Sequence, residues 1–461
     1  METDLDTHNM QKRGDPAHSI CKWRWSYPVV HISRGEIRTC DKPVNVTVTE
    51  KDLQTYGTDA FTNHPYLMER RKEKLQGIRH SDCFTCIKLE ARGIQSTRIG
   101  GDRFLRYMND VVGISGTLEE FSAHIDARLL RADHPDILEI SLSNLCNLKC
   151  IYCSPMFSTS WEEEEIRFGG MMPEQLERVA KPAPPSFETY FWEWFAKITN
   201  SLDRIIFIGG EPTINPRFLS FLTRIEQIMR DSKQVKEGRK ITINIISNFN
   251  APRAKFDQFL EIASELSNRF RLHIEASGEA FGKKSEYIRH GLDWELYVEN
   301  IKRLLALRNP NIRFGFQMAI NSLCISSLLD LLKMADQLQK EFAMPVDYKE
   351  NIVVQPEYLA PYSLTPDFAS YVHSCHEFVA CHLANETRNK LLHWESETSA
   401  SRWARYLPFL SSIEHGITSA KEAPVLRRQF ANFVDRNDKR RGSDFLSVFP
   451  EYGAFLDLCR R

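Results

Sequence analysis

Cys146, Cys150 and Cys153 stand on one short segment, Asn144-Leu145-Cys146-Asn147-Leu148-Lys149-Cys150-Ile151-Tyr152-Cys153, in a CxxxCxxC spacing. Three thiolates on a tight loop suit three irons of a cubane cluster, each iron taking one thiolate. No fourth Cys or His lies within the loop, so one iron keeps an open position for a small ligand, as a catalytic metal does. A zinc knuckle would want that fourth ligand close by.

A second group consists of Cys21 and Cys40, which flank a hairpin-like pair of apolar segments, and the pair Cys83-Phe84-Thr85-Cys86. Four thiolates saturate one metal site. A 4Fe-4S cluster and a structural zinc both meet that donor count, and spacing alone does not choose between them. Cys324, Cys375, Cys381 and Cys459 fit no metal template, even with His373, His376 and His382 nearby, and read as plain thiols and surface histidines. Among them Cys324, just past a predicted strand, is the one to test as a hydrogen donor to a product radical.

The elements that carry these groups follow a regular pattern from residue 137 onward. Short β-branched runs predict strands over Ile137–Ser143, Arg204–Ile208, Ile241–Ser247, Arg271–Ala276, Ile312–Ile320 and Val346–Val353. Helical stretches fall between them at Pro216–Arg230, Ala254–Asn268, Trp294–Leu307 and Ile325–Phe342. Such alternation predicts a parallel sheet in an open partial barrel, with the CxxxCxxC loop at the C-terminal end of its first strand. The second strand runs into Gly209-Gly210-Glu211-Pro212, whose glycines allow close backbone approach and whose Glu211 can accept from an ammonium group. Ser247-Asn248, Ser277-Gly278-Glu279 and Asn321 end later strands, and Arg289 follows Ser277 by twelve residues.

CxxxCxxC with an aromatic, Tyr152, before the last cysteine resembles the radical S-adenosylmethionine (SAM) superfamily. The resemblance implies a partial (β/α)6 barrel and a 4Fe-4S cluster on Cys146, Cys150 and Cys153 whose open iron is chelated by SAM. One-electron cleavage of SAM would then yield a 5′-deoxyadenosyl radical that abstracts hydrogen from a substrate. It also implies SAM contacts from Tyr152, Gly209, Gly210, Glu211, Ser247, Asn248, Ser277, Asn321 and Arg289, the last through a charge-assisted pair with the SAM carboxylate. Cys21-x13-Gly35-x4-Cys40 followed by CxxC resembles the twitch domain, a small α+β auxiliary-cluster domain that normally follows the barrel and here precedes it. That likeness implies a second 4Fe-4S cluster on Cys21, Cys40, Cys83 and Cys86, serving as an electron relay or as structure.

The expected organisation is a twitch-like domain over 1–104, a connector over 105–135 with one helix at Thr117–Ala132, the barrel over 136–355 and a helical extension over 356–461. An insertion interrupts the barrel between Ser154 and Lys197, with an acidic run at Glu162–Glu165, a Pro-rich break at Lys181–Pro185 and aromatics at Tyr190–Phe195. The aromatics read as a core-facing helix, and the charged run Asp435–Arg441 as a solvated helix end.

With 60 basic and 61 acidic residues in 461, the net charge is −1 and offers no global attraction for nucleic acid. The N-terminal stretch Met1–Asp15 lacks the apolar core of a signal peptide, and no run of about 18 apolar residues occurs, so a cytoplasmic protein off the membrane is expected. The family likeness points to a peptide or small-molecule substrate, crosslinked or oxidised, and an electron donor such as flavodoxin or ferredoxin. A sugar-like metabolite, a nucleic-acid substrate and a non-catalytic metal-binding scaffold are the rival readings.

Overall fold

The computed structural model describes residues 19–40, 45–91, 96, 98, 100–170, 181–232, 238–386 and 399–461 apart from 420–422, so Met1–Asp15 lies outside the described residues. Within them the strands are β1 (Pro28–His31), β2 (Glu36–Thr39), β3 (Val46–Thr47), β4 (Ile137–Ser141), β5 (Lys149–Cys150) and β6 (Arg204–Ile208). They continue with β7 (Thr242–Ser247), β8 (Arg271–Ser277), β9 (Arg289–His290), β10 (Ile312–Ile320) and β11 (Val346–Ile352). All six strands predicted for the barrel are present, and they alternate with helices as an α/β partial barrel requires.

The chain forms two compact units. The first comprises Met1–Leu145, Phe168–Ile245 and Asn268–Arg271. In it β4, β6 and β7 run parallel, with Ile137 opposite Arg204 and Arg204 opposite Thr242. Their centres, Leu138, Ile140, Ile205, Phe207, Ile243 and Ile245, are buried, as strands covered on both faces require. The predicted hairpin is β1 with antiparallel β2, and β1 lies parallel to β4, so the N-terminal segment extends this sheet. Gly35 turns the hairpin at φ +61°, where a Cβ would stand 2.7 Å from Pro184 of the Pro-rich break. The aromatic stretch is indeed core: in the helix Phe187–Ile198, Trp194 stacks on Phe61 at 5.1 Å, and Phe187 lies at the same distance.

The single helix expected over Thr117–Ala132 is instead two short ones, Leu118–Ala123 and Ala127–Leu130. Thr117 and Glu120 form a capping box on the first, and Asp126 accepts from the amides of Arg128 and Leu129 to start the second. Leu129, Phe121, Phe104 and Trp25 then share one small core. Arg71 ties this region together from full burial: Nε donates to Arg24 O at 2.9 Å, Nη1 to Leu130 O at 2.5 Å and Nη2 to Thr62 O. Burial brings its pKa down to about 9. Arg71→Leu would leave three carbonyls without a donor, so urea unfolding of the apoprotein should show a loss of about 3 kcal/mol or more. An unchanged midpoint would mean that water takes over all three bonds.

The second unit comprises Cys146–Arg167, Ile246–Ser267 and Leu272–Arg461. Its strands β8, β10 and β11 are parallel, with Leu272 opposite Ile312 and Phe314 opposite Val346. The amphipathic helices Trp294–Ala306 and Leu328–Phe342 each bury an apolar stripe that includes Ile301, Leu304, Leu331 and Leu338. A small antiparallel pair, β5 with β9, sets Cys150 opposite Arg289. The C-terminal part is helical as predicted, with Ala369–Glu386, Ser399–Thr418, Pro424–Arg441 and Gly453–Arg460. Among the described residues no helix is long and apolar enough to cross a membrane.

Candidate active site

The CxxxCxxC loop is held mainly by its own backbone and by the helix behind it, Thr159–Phe168. Cys146 N donates to Thr159 Oγ1 at 3.2 Å, Ser158 Oγ to Leu148 O at 2.6 Å and Trp161 Nε1 to Cys150 O at 2.7 Å. Cys150 is buried, while Cys146 and Cys153 are partly exposed. Two of the sulfurs already accept N–H groups. Leu148 N and Asn248 Nδ2 point at Cys146 Sγ from 3.5 and 3.9 Å, and Arg289 Nη1 at Cys150 Sγ from 3.4 Å. Donors aimed at sulfur are what a cluster ligand needs, because they stabilise the thiolate and tune the metal. The loop therefore fits a 4Fe-4S group by donor set and by surroundings.

Tyr152, Glu279 and Arg289 form one buried network beside it. Tyr152 Oη donates to the Glu279 carboxylate at 3.0 Å, and Arg289 Nε lies 3.4 Å from Glu279 Oε2. Burial pushes the Glu279 carboxyl up, with Arg289 opposing, and burial likewise raises Tyr152. Arg289, expected to face a SAM carboxylate, is bonded in this structure to Glu279 and Cys150. Asn248 Nδ2 reaches Asn147 Oδ1 at 2.8 Å, and Ser247 Oγ accepts from Phe249 N at 3.0 Å, so both strand-end residues brace the turn around the loop. Ser277 ends β8, half-buried. Asn321 and Cys324 build a turn of their own: Asn321 Oδ1 accepts from Leu323 N and Cys324 N, and the fully buried Cys324 thiol donates to Asn321 O at 3.2 Å. This thiol faces its own backbone.

In the first unit, Gly209 and Gly210 have φ of +80° and +55°. A Cβ on Gly210 would stand 2.8 Å from Ser143 O and closer still to Leu145 O, so only glycine lets β6 end against the chain leaving β4. Glu211 N donates to Leu145 O at 2.6 Å, and the buried Glu211 carboxylate accepts from Thr213 N and Oγ1.

The four N-terminal cysteines lie among cations of the same unit, Arg24 and Lys74 buried and Arg98 half-buried. Arg24 Nη2 is 3.4 Å from Cys83 Sγ and also acts electrostatically on Cys40, while Arg98 acts on Cys21 and Cys86. Burial alone would raise the Cys83 thiol, but Arg24 and Lys74 together hold it below its ordinary value. Cys40 sits at φ +69°, a conformation a non-glycine residue adopts at a cost. Among the described residues no three His, Cys, Asp or Glu side chains gather around a single ion. The fit to a metal group at these four thiols rests on donor set and compensating charge. Cys375 and Cys459 are buried and Cys381 is exposed.

A family model, the Radical SAM superfamily, matches residues 140–335 and so includes the CxxxCxxC loop, Gly209-Gly210-Glu211 and Arg289. Residues 140–335 are thus similar to a radical SAM domain. Among solved structures, the chain is similar to native anSMEcpe with bound AdoMet and a Cp18Cys peptide, at 18% identity and TM-score 0.35, covering 54% of this chain and 61% of that one. Another is SuiB of Streptococcus suis bound to precursor peptide SuiA, at 13% identity and TM-score 0.38, covering 70% of this chain and 64% of that one. The chain thus spans less than two thirds of the length of either. No curated protein matches.

The CxxxCxxC loop has supports that its own sequence does not reveal. Glu164, in the acidic run, takes Lys149 Nζ at 2.7 Å and also faces Arg441, so the run is no free acidic surface. Burial opposes ionisation of Glu164, yet Lys149 and Arg441 outweigh it and hold its pKa below the ordinary 4.5. His290, opposite Lys149, is pushed down to about 4 by burial and then by Arg441 and Lys149. A depressed carboxylate stabilises above its unfolded pKa and loses that contribution as pH falls through the folded value. Wild-type apoprotein should therefore melt above Glu164→Gln at pH 7, and the gap should close below about pH 4.5. A gap that persists in acid would assign the effect to packing.

Proposed function

We propose that the chain is a radical SAM enzyme of oxidoreductase type. It reduces SAM at the Cys146, Cys150 and Cys153 cluster and abstracts hydrogen from a peptide or natural-product substrate. Cys21, Cys40, Cys83 and Cys86 would hold a second 4Fe-4S group, which would supply a sink for the electron released by substrate oxidation or crosslinking. The observation that carries this reading is the buried set Cys150, Arg289, Glu279 and Tyr152, which joins the cluster loop to two strand ends through hydrogen bonds.

When bound, the cluster and SAM supply the 5′-deoxyadenosyl radical, the hydrogen-abstracting agent of this chemistry. The residues do the rest. Arg289 and Asn248 donate to ligand sulfurs, Gly209 and Gly210 open room for backbone to approach a ligand, and Tyr152 is held in orientation by Glu279. Around the N-terminal thiols, Arg24, Lys74 and Arg98 offset the negative charge that four thiolates bring. A flavodoxin or ferredoxin is the natural donor class, and a sugar-like metabolite is the alternative substrate class.

The test is anaerobic reconstitution, an iron count, and addition of dithionite and SAM. About eight irons per chain with 5′-deoxyadenosine formed supports both clusters. About four irons with product retains the radical SAM centre and removes the second cluster. A loaded protein that neither binds nor cleaves SAM refutes the reading.

A further inference from the structure

The charged run Asp435–Arg441, expected as a solvated helix end, is exposed at Asp435, Arg436 and Lys439, but its last arginine turns in against the CxxxCxxC loop. The Arg441 side chain is 1% exposed and its partner Glu164 4%, with Nε and Nη2 each 3.4 Å from that carboxylate. Glu164 in turn holds Lys149, which lies between two cluster cysteines. The guanidinium lies 4.7 Å above the Trp161 ring, and Trp161 Nε1 holds Cys150 O. One residue earlier, Arg440 pairs with Glu165 at 2.7 Å. Asp438 accepts from Tyr287 Oη at 2.9 Å, and Tyr287 precedes Arg289, the residue opposite Cys150, by two positions. Bonded paths from one helix end thus reach Cys150 from both sides.

Packing alone does not account for this. A buried guanidinium costs desolvation that an apolar side chain of similar size avoids. Here Nη1 of Arg441 is buried with no hydrogen-bond partner, leaving a donor unused. Arg441 and Cys150 also act on one another electrostatically. A thiolate-ligated cluster is negatively charged, reduction adds a further negative charge, and a nearby cation eases that step.

We propose that Arg441 is a positioning residue of the radical SAM centre. Carried by the C-terminal helix, it braces the CxxxCxxC loop through Glu164 and Trp161 and sets a second positive charge, after Arg289, near Cys150. This raises the reduction potential of the cluster. The inference rests on the cluster reading above.

The test is an EPR-monitored redox titration of the reconstituted full chain, following the signal that SAM perturbs. Arg441→Gln should shift the midpoint to lower potential and reduce the fraction of cluster reduced by a fixed amount of dithionite. Arg441→Lys, which keeps the charge and loses the fork, should recover most of the potential. Arg440→Gln should titrate like wild type. If Arg441→Gln does not load, Glu164→Gln is the second variant, since it leaves Arg441 uncompensated and should move the midpoint upward. A loaded Arg441→Gln, or failing that Glu164→Gln, with a wild-type midpoint overturns the inference alone. A wild-type chain that assembles no SAM-sensitive cluster overturns the cluster reading with it.

Discussion

Cys150→Ala is expected to abolish 5′-deoxyadenosine formation while leaving the polypeptide folded. Cys150 is the central cysteine of the loop, buried, and bonded through sulfur to Arg289. Loss of a partner outside the ligand set of a metal costs roughly 10–100-fold in affinity or activity, and loss of the ligand itself should exceed that. The backbone pairing of Cys150 with Arg289 and the Trp161 bond to Cys150 O do not use the sulfur, so the circular dichroism of the variant should match wild type. The iron count should fall from about eight to about four per chain. Cys83→Ala makes the complementary test: it should remove the other four irons yet retain SAM cleavage in the absence of substrate. If Cys150→Ala still cleaves SAM, the cluster lies elsewhere. If Cys83→Ala loses cleavage as well, the N-terminal thiols support the fold of the site and not a separate group.

Gly210→Ala should cause the second-largest loss. At φ +55° an alanine costs about 1–2 kcal/mol in backbone conformation alone. Its methyl would also strike Ser143 O and Leu145 O, which are backbone atoms and cannot rotate aside. The peptide must move, and Leu145 immediately precedes Cys146, so the displacement should also break the Glu211 N to Leu145 O bond. SAM affinity should fall at least about tenfold, which corresponds to 1.4 kcal/mol. Gly209→Ala strains the same turn at φ +80°, and its methyl would meet the Ser141 Cβ at 2.7 Å, which cannot rotate aside either. Equal affinities for wild type and Gly210→Ala in a calorimetric titration would mean that these glycines take no part in binding SAM.

Much of this was legible in the sequence. The strands of the barrel announce themselves because a parallel strand buried on both faces is near-continuously apolar, as at Ile205–Phe207, with an exception such as the buried Asn244 between Ile243 and Ile245. The CxxxCxxC loop is local: its ligands lie within eight residues, so its spacing survives without knowledge of the fold. Elements governed by caps were harder. The break between Ala123 and Ala127 depends on Asp126 turning its carboxylate onto two amides, which competes on nearly equal terms with helix continuation.

The charged residues show where sequence reading ends. Glu164 and Arg441 are 277 positions apart, and each alone has the composition of a solvated surface. Only the tertiary fold brings them together, buries them and turns an acidic run and a basic helix end into supports for one loop. Arg289 and Glu279 are similar, since their bond depends on how β8 and β9 emerge in space. The sequence by itself determined the chemistry on offer: three thiols on one short loop, four more ahead of it, and glycines where backbone comes close. The tertiary structure decided which charges stand beside those thiolates. The physical reason is that a ligand set can be written into neighbouring residues, whereas the field around it is the sum of groups that only folding brings within a few ångströms.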